Sequence, residues 1–154
     1  MLSHTAEYAL RAVLYIAQHE TDDGLVRNDS IAAALDVPRN YLSKILHTLA
    51  RDGLLLSSRG PSGGFRLARD PDAIQLRQVV APWDAVDGPR SCILGRARCS
   101  DRNPCPAHGR WKDISEQVGV FFRKTTVGDL LREPGSLTMK TTRRSGRRPA
   151  SSGS

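Results

Sequence analysis

The sequence has no long hydrophobic run and few aromatic residues. Its apolar stretches fall short of the ~18–20 residues that a membrane-spanning helix needs. Residues 1–4 also lack the basic and apolar regions of a secretory signal. We therefore expect a cytoplasmic protein with no membrane contact. Aromatic residues make up only 5% of the 154 residues, which favours helices packed with leucine, isoleucine, valine and alanine.

Motifs that indicate an enzyme are also missing. The chain has three cysteines but no Cys-x-x-Cys pair and no dinucleotide-binding fingerprint. The glycine-rich stretch 59–64 lacks the Gly-Lys-Ser/Thr ending of a phosphate-binding loop. An odd cysteine count excludes a closed set of intrachain disulfides, and clustered thiols in a reducing compartment more often serve metal or redox chemistry. We therefore expect that the protein is not an enzyme. The alternative is a small iron–sulfur or thiol oxidoreductase.

Acidic residues are outnumbered by basic ones. The chain has 23 lysines and arginines against 16 aspartates and glutamates, a net charge of +7, which favours a polyanionic partner. Residues 1–132 carry 18 of these cations and 15 of the anions, so much of the excess lies beyond Arg132. Residues 133–154 are polar and basic and predict a disordered tail. Such a tail also suits a protein that coats nucleic acid without sequence preference.

Three segments in the first half have helical periodicity. Apolar residues at steps of three and four predict a helix over Thr5–His19. Asn28 can cap a short second helix. A third helix is predicted over Arg39–Arg51, and Gly53 follows it at the usual position after a helix end. The last two helices, joined by a tight turn, indicate a helix-turn-helix.

The next segment reads as a β-hairpin. Leu54–Ser58 and Phe65–Leu67 predict two strands around the turn-rich stretch 59–64. A hairpin directly after a helix-turn-helix is a wing. A short helix is predicted around Ile74–Ala81. The expected fold class is therefore mainly α with a small β-hairpin wing, and residues 1–83 form a winged helix-turn-helix DNA-binding region.

The start of the third helix carries residue types that suit DNA recognition. Asn40 can pair with an adenine edge, and Tyr41 and Ser43 can reach bases or phosphates. Arg39 and Lys44 supply charge for phosphates. The alternative is an ordinary polar surface on a small helical pair.

The hairpin adds two candidates to this surface. Ser58 and Arg59 precede the glycine-rich tip, and an arginine there is suited to a narrow minor groove. The alternative is that the glycines only make a tight turn.

A longer helix is predicted from Pro106 to about Lys124. Its apolar residues follow alternating steps of four and three, as in a coiled-coil seam; they are Ala107, Trp111, Ile114, Val118 and Phe121. We therefore expect residues 106–132 to form a dimerisation helix and a short terminal helix that opens with a capping box at Thr126–Asp129. The partners are then a second copy of the chain and double-stranded DNA with a palindromic promoter site. The alternative is that the stripe packs on the body of the same chain.

Residues 84–105 lack clear periodicity and form a cysteine-bearing loop. Six residues separate Cys92 from Cys99, five separate Cys99 from Cys105, and His108 follows three positions later. Thiolates are the natural ligands of iron–sulfur clusters, and a histidine can supply a remaining bond. A non-cysteine ligand makes such a cluster easier to attack, which a sensor can use. The alternatives are a structural zinc site, which usually brings cysteines closer in sequence, and metal-free thiol sensing.

Several stretches, in this order, resemble the IscR/NsrR-type family of winged-helix iron–sulfur transcriptional regulators. The likeness covers about residues 2–132, and the wing and the cysteine loop are its distinctive parts. It implies a homodimer formed through the long helix, promoter binding through Asn40, Tyr41 and Arg59, and DNA affinity that changes with cluster state. The matching stretches are 5–12 (TAEYALRA), 40–42 (NYL), 57–61 (SSRGP), 63–65 (GGF), the three cysteines and 126–130 (TVGDL).

The resemblance also implies candidates for the fourth cluster ligand. His108 resembles the histidine of the IscR branch, and Glu7 lies where the NsrR branch places a carboxylate from the partner subunit. His4 lies near the same end. The first cysteine gap is one residue longer than in these relatives, which leaves 2Fe–2S and 4Fe–4S forms open. We expect a DNA-binding regulator, most simply a repressor, controlled by a cluster that senses nitric oxide, redox state or iron supply.

Overall fold

A computed structural model describes residues 2–20, 24–86 and 91–135. Within these ranges the chain is mainly helical with one antiparallel hairpin, which confirms the predicted fold class. Positions 21–23 of the predicted turn, 87–90 of the cysteine loop and 136–154 of the predicted tail lie outside the described residues. The elements are α1 (His4–His19), α2 (Asn28–Leu35), α3 (Arg39–Arg51), β1 (Leu55–Ser58), β2 (Gly64–Leu67), a 3₁₀ turn (Pro71–Ala73), α4 (Leu76–Val80), α5 (His108–Lys124) and α6 (Val127–Arg132).

The helix-turn-helix is built on α1, which packs against both α2 and α3. The Ser3 side chain caps α1 by accepting the Ala6 N–H at 3.2 Å. Asp36 ends α2 in the left-handed conformation with φ 52°, which lets the chain turn directly into α3. The apolar face of α3 is buried at Leu42, Ile45, Leu46 and Leu49. This face fixes the helix against the core and turns its polar face outward.

The start of α2 differs from the sequence-based prediction. Asn28 is the first residue of the helix, and Arg27 holds the capping position without a side-chain cap. The chain enters the helix here because Val26 is fixed beside the hairpin. Two backbone hydrogen bonds of 2.8 Å join Val26 and Phe65.

The hairpin follows α3 as expected for a wing. β1 and β2 pair antiparallel with Leu55 opposite Leu67 and Ser58 opposite Gly64. Gly53, with φ 76°, makes the turn out of α3. A Cβ atom at Gly64 would lie 2.4 Å from the Val26 carbonyl oxygen, so only glycine allows this close approach between the wing and the segment before α2.

The helix predicted around Ile74–Ala81 begins two residues later than expected. Residues Pro71–Ala73 form a 3₁₀ turn, and α4 begins only at Leu76. The break arises because the backbone here pairs with the segment before α6: Val127 N–H donates to the Ile74 carbonyl at 2.8 Å, and Leu76 N–H donates to the Thr125 carbonyl at 3.0 Å.

The long helix begins two residues later than predicted. α5 starts at His108, because a tight turn with a 2.9 Å bond from His108 N–H to the Cys105 carbonyl precedes it. The predicted capping box at Thr126–Asp129 is confirmed, with both reciprocal bonds present. In the described part of the chain, no helix has the length and apolar character to cross a membrane.

Candidate nucleic-acid interface and cysteine loop

The outer face of α3 forms a shallow groove rich in polar and basic side chains. It is lined by Asn40, Ser43, Lys44, His47, Thr48 and Arg51. Asn40, Ser43 and Lys44 were predicted from the sequence to contact DNA, whereas His47 and Arg51 were not. His47 lies three residues after Lys44 and Arg51 four residues after His47, and this spacing is the signal that could have found them, because such residues share a helix face.

A second groove, of about 380 Å³, lies between α3, the start of α2 and the wing. Ser58 and Arg59 line it from the wing, and Arg39 lines it from α3. The structure therefore brings together the predicted wing and helix candidates on one surface. Arg27, which the sequence analysis did not name, is a further cation on this groove.

Two of the candidate DNA contacts already have partners within the chain. Arg39 Nε lies 2.9 Å from Asp29 Oδ1, with side chains 68% and 54% exposed. The Tyr41 hydroxyl forms a 2.5 Å hydrogen bond with Thr5 Oγ1, and its ring meets the ring of Tyr8 edge-on at 6.1 Å. Tyr41 thus ties α3 to the first turns of α1 and is 37% exposed.

The N-terminal turn of α1 also contacts the start of the cysteine loop. The backbone N–H and the hydroxyl of Ser3 donate to Asp84 Oδ2 at 2.8 Å and 2.9 Å. Asp84 is the first residue of the predicted loop. The same turn therefore contacts α3 through Thr5 and the start of the cysteine loop through Ser3.

Cys92 and Cys105 form the buried part of the cysteine loop, with 8% and 9% exposure. The backbone N–H groups of Arg96 and Leu94 bond to the Cys92 sulfur and lower the pKa of its thiol, and a bond with the Cys105 side chain acts in the same direction. Gly95, with φ 78°, lies in a turn that its N–H closes by donating to the Cys92 carbonyl at 2.9 Å. All three cysteines are free thiols.

Cys99 belongs to a separate group with a histidine, an aspartate and a lysine. Cys99 Sγ lies 3.2 Å from His108 Nδ1, and His108 Nε2 lies 2.9 Å from Asp101 Oδ1. Lys112 Nζ donates to the same Asp101 oxygen at 2.9 Å. These two donors lower the pKa of Asp101 to about 2, the lysine having the larger effect.

The predicted metal ligands therefore form two pairs, Cys92 with Cys105 and Cys99 with His108. Over residues 2–20, 24–86 and 91–135, no three histidine, cysteine, aspartate or glutamate side chains are arranged to hold one metal ion. Glu7 and His4 lie together on α1, with Oε2 and Nδ1 3.5 Å apart and side chains 52% and 90% exposed. Within one chain they are not gathered with the cysteines.

The predicted seam of α5 is only partly covered by its own chain. Val118 is half-buried against the core and Phe122 is buried. Ile114 and Phe121 remain 53% and 49% exposed. Intrachain packing therefore leaves part of the seam as an apolar surface.

Comparisons with known proteins agree with this architecture. The Rrf2 family, described as iron-dependent transcriptional regulators, matches residues 2–133. A protein of Aquifex aeolicus, named as an HTH-type transcriptional regulator, is 35% identical over 133 residues, which cover 85% of this chain and 91% of that protein. The transcriptional regulator IscR of Yersinia pseudotuberculosis is 33% identical over 131 residues, which cover 84% of this chain and 78% of that protein.

Solved structures are also similar. CymR of B. subtilis, named as its global cysteine regulator, has a TM-score of 0.69 and 25% identity over 84% of this chain and 95% of that one. The fold is likewise similar to T. potens IscR, with a TM-score of 0.65 and 23% identity over 85% of each chain.

Proposed function

Because the chain belongs to the Rrf2 family of transcriptional regulators and is of the IscR/NsrR type, we propose that it is a homodimeric promoter repressor controlled by an iron–sulfur cluster on its cysteine loop. DNA-binding regulation of transcription is the function of the family. The dimer, the palindromic site, repression and control by a cluster are the further parts of the proposal. Nitric oxide, redox state and iron supply are the candidate signals.

One observation carries the DNA-binding part of the proposal. The polar face of α3 and the wing arginine line connected parts of one surface, and Arg59 shares a groove with Ser43 of α3. A recognition helix in the major groove places its outward side chains at base edges. We propose that Asn40, Ser43 and Lys44 act there with Arg39 and Tyr41, and that Ser58 and Arg59 contact the flanking backbone or minor groove.

The exposed apolar residues of α5 support the dimer. Ile114 and Phe121 lie seven positions apart, at equivalent places in a heptad, and both are about half exposed. A second copy of α5 covers such a seam with the same residues. Two recognition helices related by two-fold symmetry then require a two-fold-symmetric DNA site.

The donor set of the cysteine loop fits an iron–sulfur cluster chemically. Three free thiols lie on one loop, and N–H donors toward Cys92 favour the thiolate form that binds iron. We propose Cys92, Cys99, Cys105 and His108 as the ligands, with Glu7 of the partner subunit as the alternative to His108. The cluster, as 2Fe–2S or 4Fe–4S, would supply an iron centre that oxidants, nitric oxide or iron loss can alter.

Anaerobic purification followed by selection of DNA from a random duplex library tests this function. We expect iron and acid-labile sulfide in the purified protein, a two-fold-symmetric selected site and weaker transcription from a promoter that carries the site. Asn40→Ala and Arg59→Ala should each weaken binding to the selected site by about 1–3 kcal/mol. Arg69→Ala removes an exposed cation that lines neither groove of the proposed DNA surface and is the matched control. A wild-type protein without preference for any duplex contradicts the proposal.

Thiol sensing without metal is the second candidate for the signal. The lowered pKa of the Cys92 thiol, to which the Cys105 side chain contributes, favours it. Zinc is the third. Iron, sulfide and zinc assays on the anaerobic protein separate the three, because only the cluster contains sulfide and only the thiol switch contains no metal.

A further inference from the structure

Asp101 is the central acceptor of the group around Cys99. Its Oδ1 atom is 2.9 Å from both His108 Nε2 and Lys112 Nζ. The His108 side chain is only 12% exposed, whereas those of Asp101 and Lys112 are 73% and 44% exposed. The histidine ring thus lies inside the group with its two nitrogens turned to different partners.

The positions of the hydrogens follow from these contacts. A lysine ammonium group can only donate, so the Asp101 oxygen that it contacts is an acceptor. The short contact between that oxygen and His108 Nε2 therefore requires the hydrogen on Nε2. In a neutral imidazole the other nitrogen then carries a lone pair, and this nitrogen, Nδ1, lies 3.2 Å from Cys99 Sγ.

We infer that Asp101 is a positioning residue that fixes the Nε2–H form of His108 and thereby turns the Nδ1 lone pair toward Cys99. Carboxylates that hold the second nitrogen of a metal-binding histidine have this effect in many metal sites. The inference rests on the proposed function in one respect: it identifies Nδ1 as the atom with which His108 binds iron. Lys112 assists by holding Asp101 in place.

The test begins with the metal-free, reduced full-length protein labelled with ¹⁵N in its histidine rings. The spectra are recorded at pH 8. Long-range proton–nitrogen spectra then distinguish the two neutral forms, and His108→Gln identifies the His108 signals among the four histidines. We expect the Nε2–H form in the wild type, a mixture with Nδ1–H in Asp101→Ala, and return to Nε2–H in Asp101→Glu.

The second readout is iron retention after anaerobic reconstitution with iron and sulfide. We expect a chelator to remove iron about 10-fold or more faster from Asp101→Ala than from the wild type. Asp113→Ala removes an exposed carboxylate next to Lys112 on the same helix and should leave both readouts unchanged. If Asp101→Ala does not fold, Lys112→Gln takes its place in the comparison with the wild type. This variant removes the lysine ammonium group that holds Asp101 in position.

Three results would overturn the inference. They are a dominant Nδ1–H form in the wild type, an unchanged tautomer in the variants, and equal iron loss from Asp101→Ala and Asp113→Ala. A wild-type protein that binds no iron contradicts the proposed function instead, and the nitrogen spectra still decide the role of Asp101.

Discussion

Asp29 is an acidic residue on the groove that we assign to DNA, and it holds the cation Arg39. Both side chains are more than half exposed, so their ion pair adds only about 0–1 kcal/mol to stability. Its larger effect concerns DNA, because the carboxylate repels phosphates and occupies the guanidinium. Asp29 therefore limits how strongly this groove attracts any duplex, whatever its sequence.

Replacing Asp29 by asparagine is expected to raise affinity for random duplex more than affinity for the selected site. Arg39 becomes free to contact a phosphate, so the salt dependence of binding should steepen by about one counterion. Fluorescence anisotropy at several salt concentrations measures both effects. Asp36→Asn is the control, since asparagine also tolerates the left-handed backbone at that position. Identical salt dependence in wild type and Asp29→Asn would contradict this role.

Capping of α6 shows how a local motif anchors an element. Thr126 Oγ1 accepts the Asp129 N–H at 3.0 Å, and we expect Thr126→Ala to lower the free energy of unfolding by about 1 kcal/mol. Chemical denaturation measures this loss. Thr48→Ala is the control, because it removes a hydroxyl that bonds only within α3. The prediction fails if both variants lose the same stability.

The second hydrogen bond of this cap, from the Thr126 backbone N–H to the Asp129 carboxylate, stabilises the protein to an extent that depends on pH. The Thr126 backbone N–H, its hydroxyl and Arg132 lower the pKa of Asp129 below its usual 3.8. Because the folded-state pKa is depressed, the stabilisation is present above about pH 4 and is lost as the pH falls through the folded-state value. The melting temperature of Asp129→Asn should lie below that of the wild type at pH 7, and the gap should close in acid. A difference in melting temperature that stays constant from pH 7 to pH 2 would contradict this role of the Asp129 carboxylate.

The wing depends on one glycine at its junction with α2. A Cβ at position 64 meets the Val26 carbonyl, which is backbone and cannot move aside alone. We expect Gly64→Ala to cost about 1–3 kcal/mol and to weaken DNA binding, because the hairpin must shift relative to α3. Gly109→Ala in α5 meets no neighbouring atom and is the control. Thermal unfolding and binding to the selected site measure the two effects, and equal stability of both variants refutes the prediction.

The sequence could predict elements whose causes are local. Periodicity and Gly53 were sufficient for the bounds of α3, and the Thr126–Asp129 motif was sufficient for the start of α6. The interruption before α4 could not be predicted, because it results from backbone bonds between Ile74 and Val127, far apart in the chain. The capping role of Asn28 was wrong for the same reason, since pairing of Val26 with the wing decides where α2 begins.

The candidate sites show the same limit. Residue types and spacing identified the three cysteines, His108 and the polar face of α3. Neither the partner of Arg39 nor the division of the thiols into two groups follows from spacing, because each depends on how a turn or loop folds back. Asp101 lies among several loop residues of similar type, and only its contacts with His108 and Lys112 distinguish it.

At the scale of the whole molecule, the proposed dimer depends on the uncovered part of the α5 seam. A carboxylate at position 114 would lie within an apolar interface, so we expect Ile114→Asp to sediment as a monomer and to bind the two-fold site much more weakly. Gln117→Asp introduces the same charge at an exposed position on the same helix. Sedimentation velocity decides the question: a dimeric Ile114→Asp, or a monomeric wild type, contradicts the proposed assembly.

Ser3 joins the two functional halves of the chain, because it bonds Asp84 at the beginning of the cysteine loop and caps the helix whose Thr5 holds Tyr41. If loop occupancy changes DNA affinity through this contact, Asp84→Ala should shrink the difference in affinity between iron-loaded and iron-free protein. Asp113→Ala should preserve the difference. Equal differences in both variants exclude this route.

Thermodynamic linkage then applies in the opposite direction as well. If iron bound to the loop changes the affinity of the protein for its DNA site by some factor, binding of that site must change the affinity of the loop for iron by the same factor. Under the proposed control by a cluster, the protein bound to its promoter and the protein free in solution would therefore hold iron with different strength. In that case the number of promoter sites in the genome would help to set the iron concentration at which the protein responds.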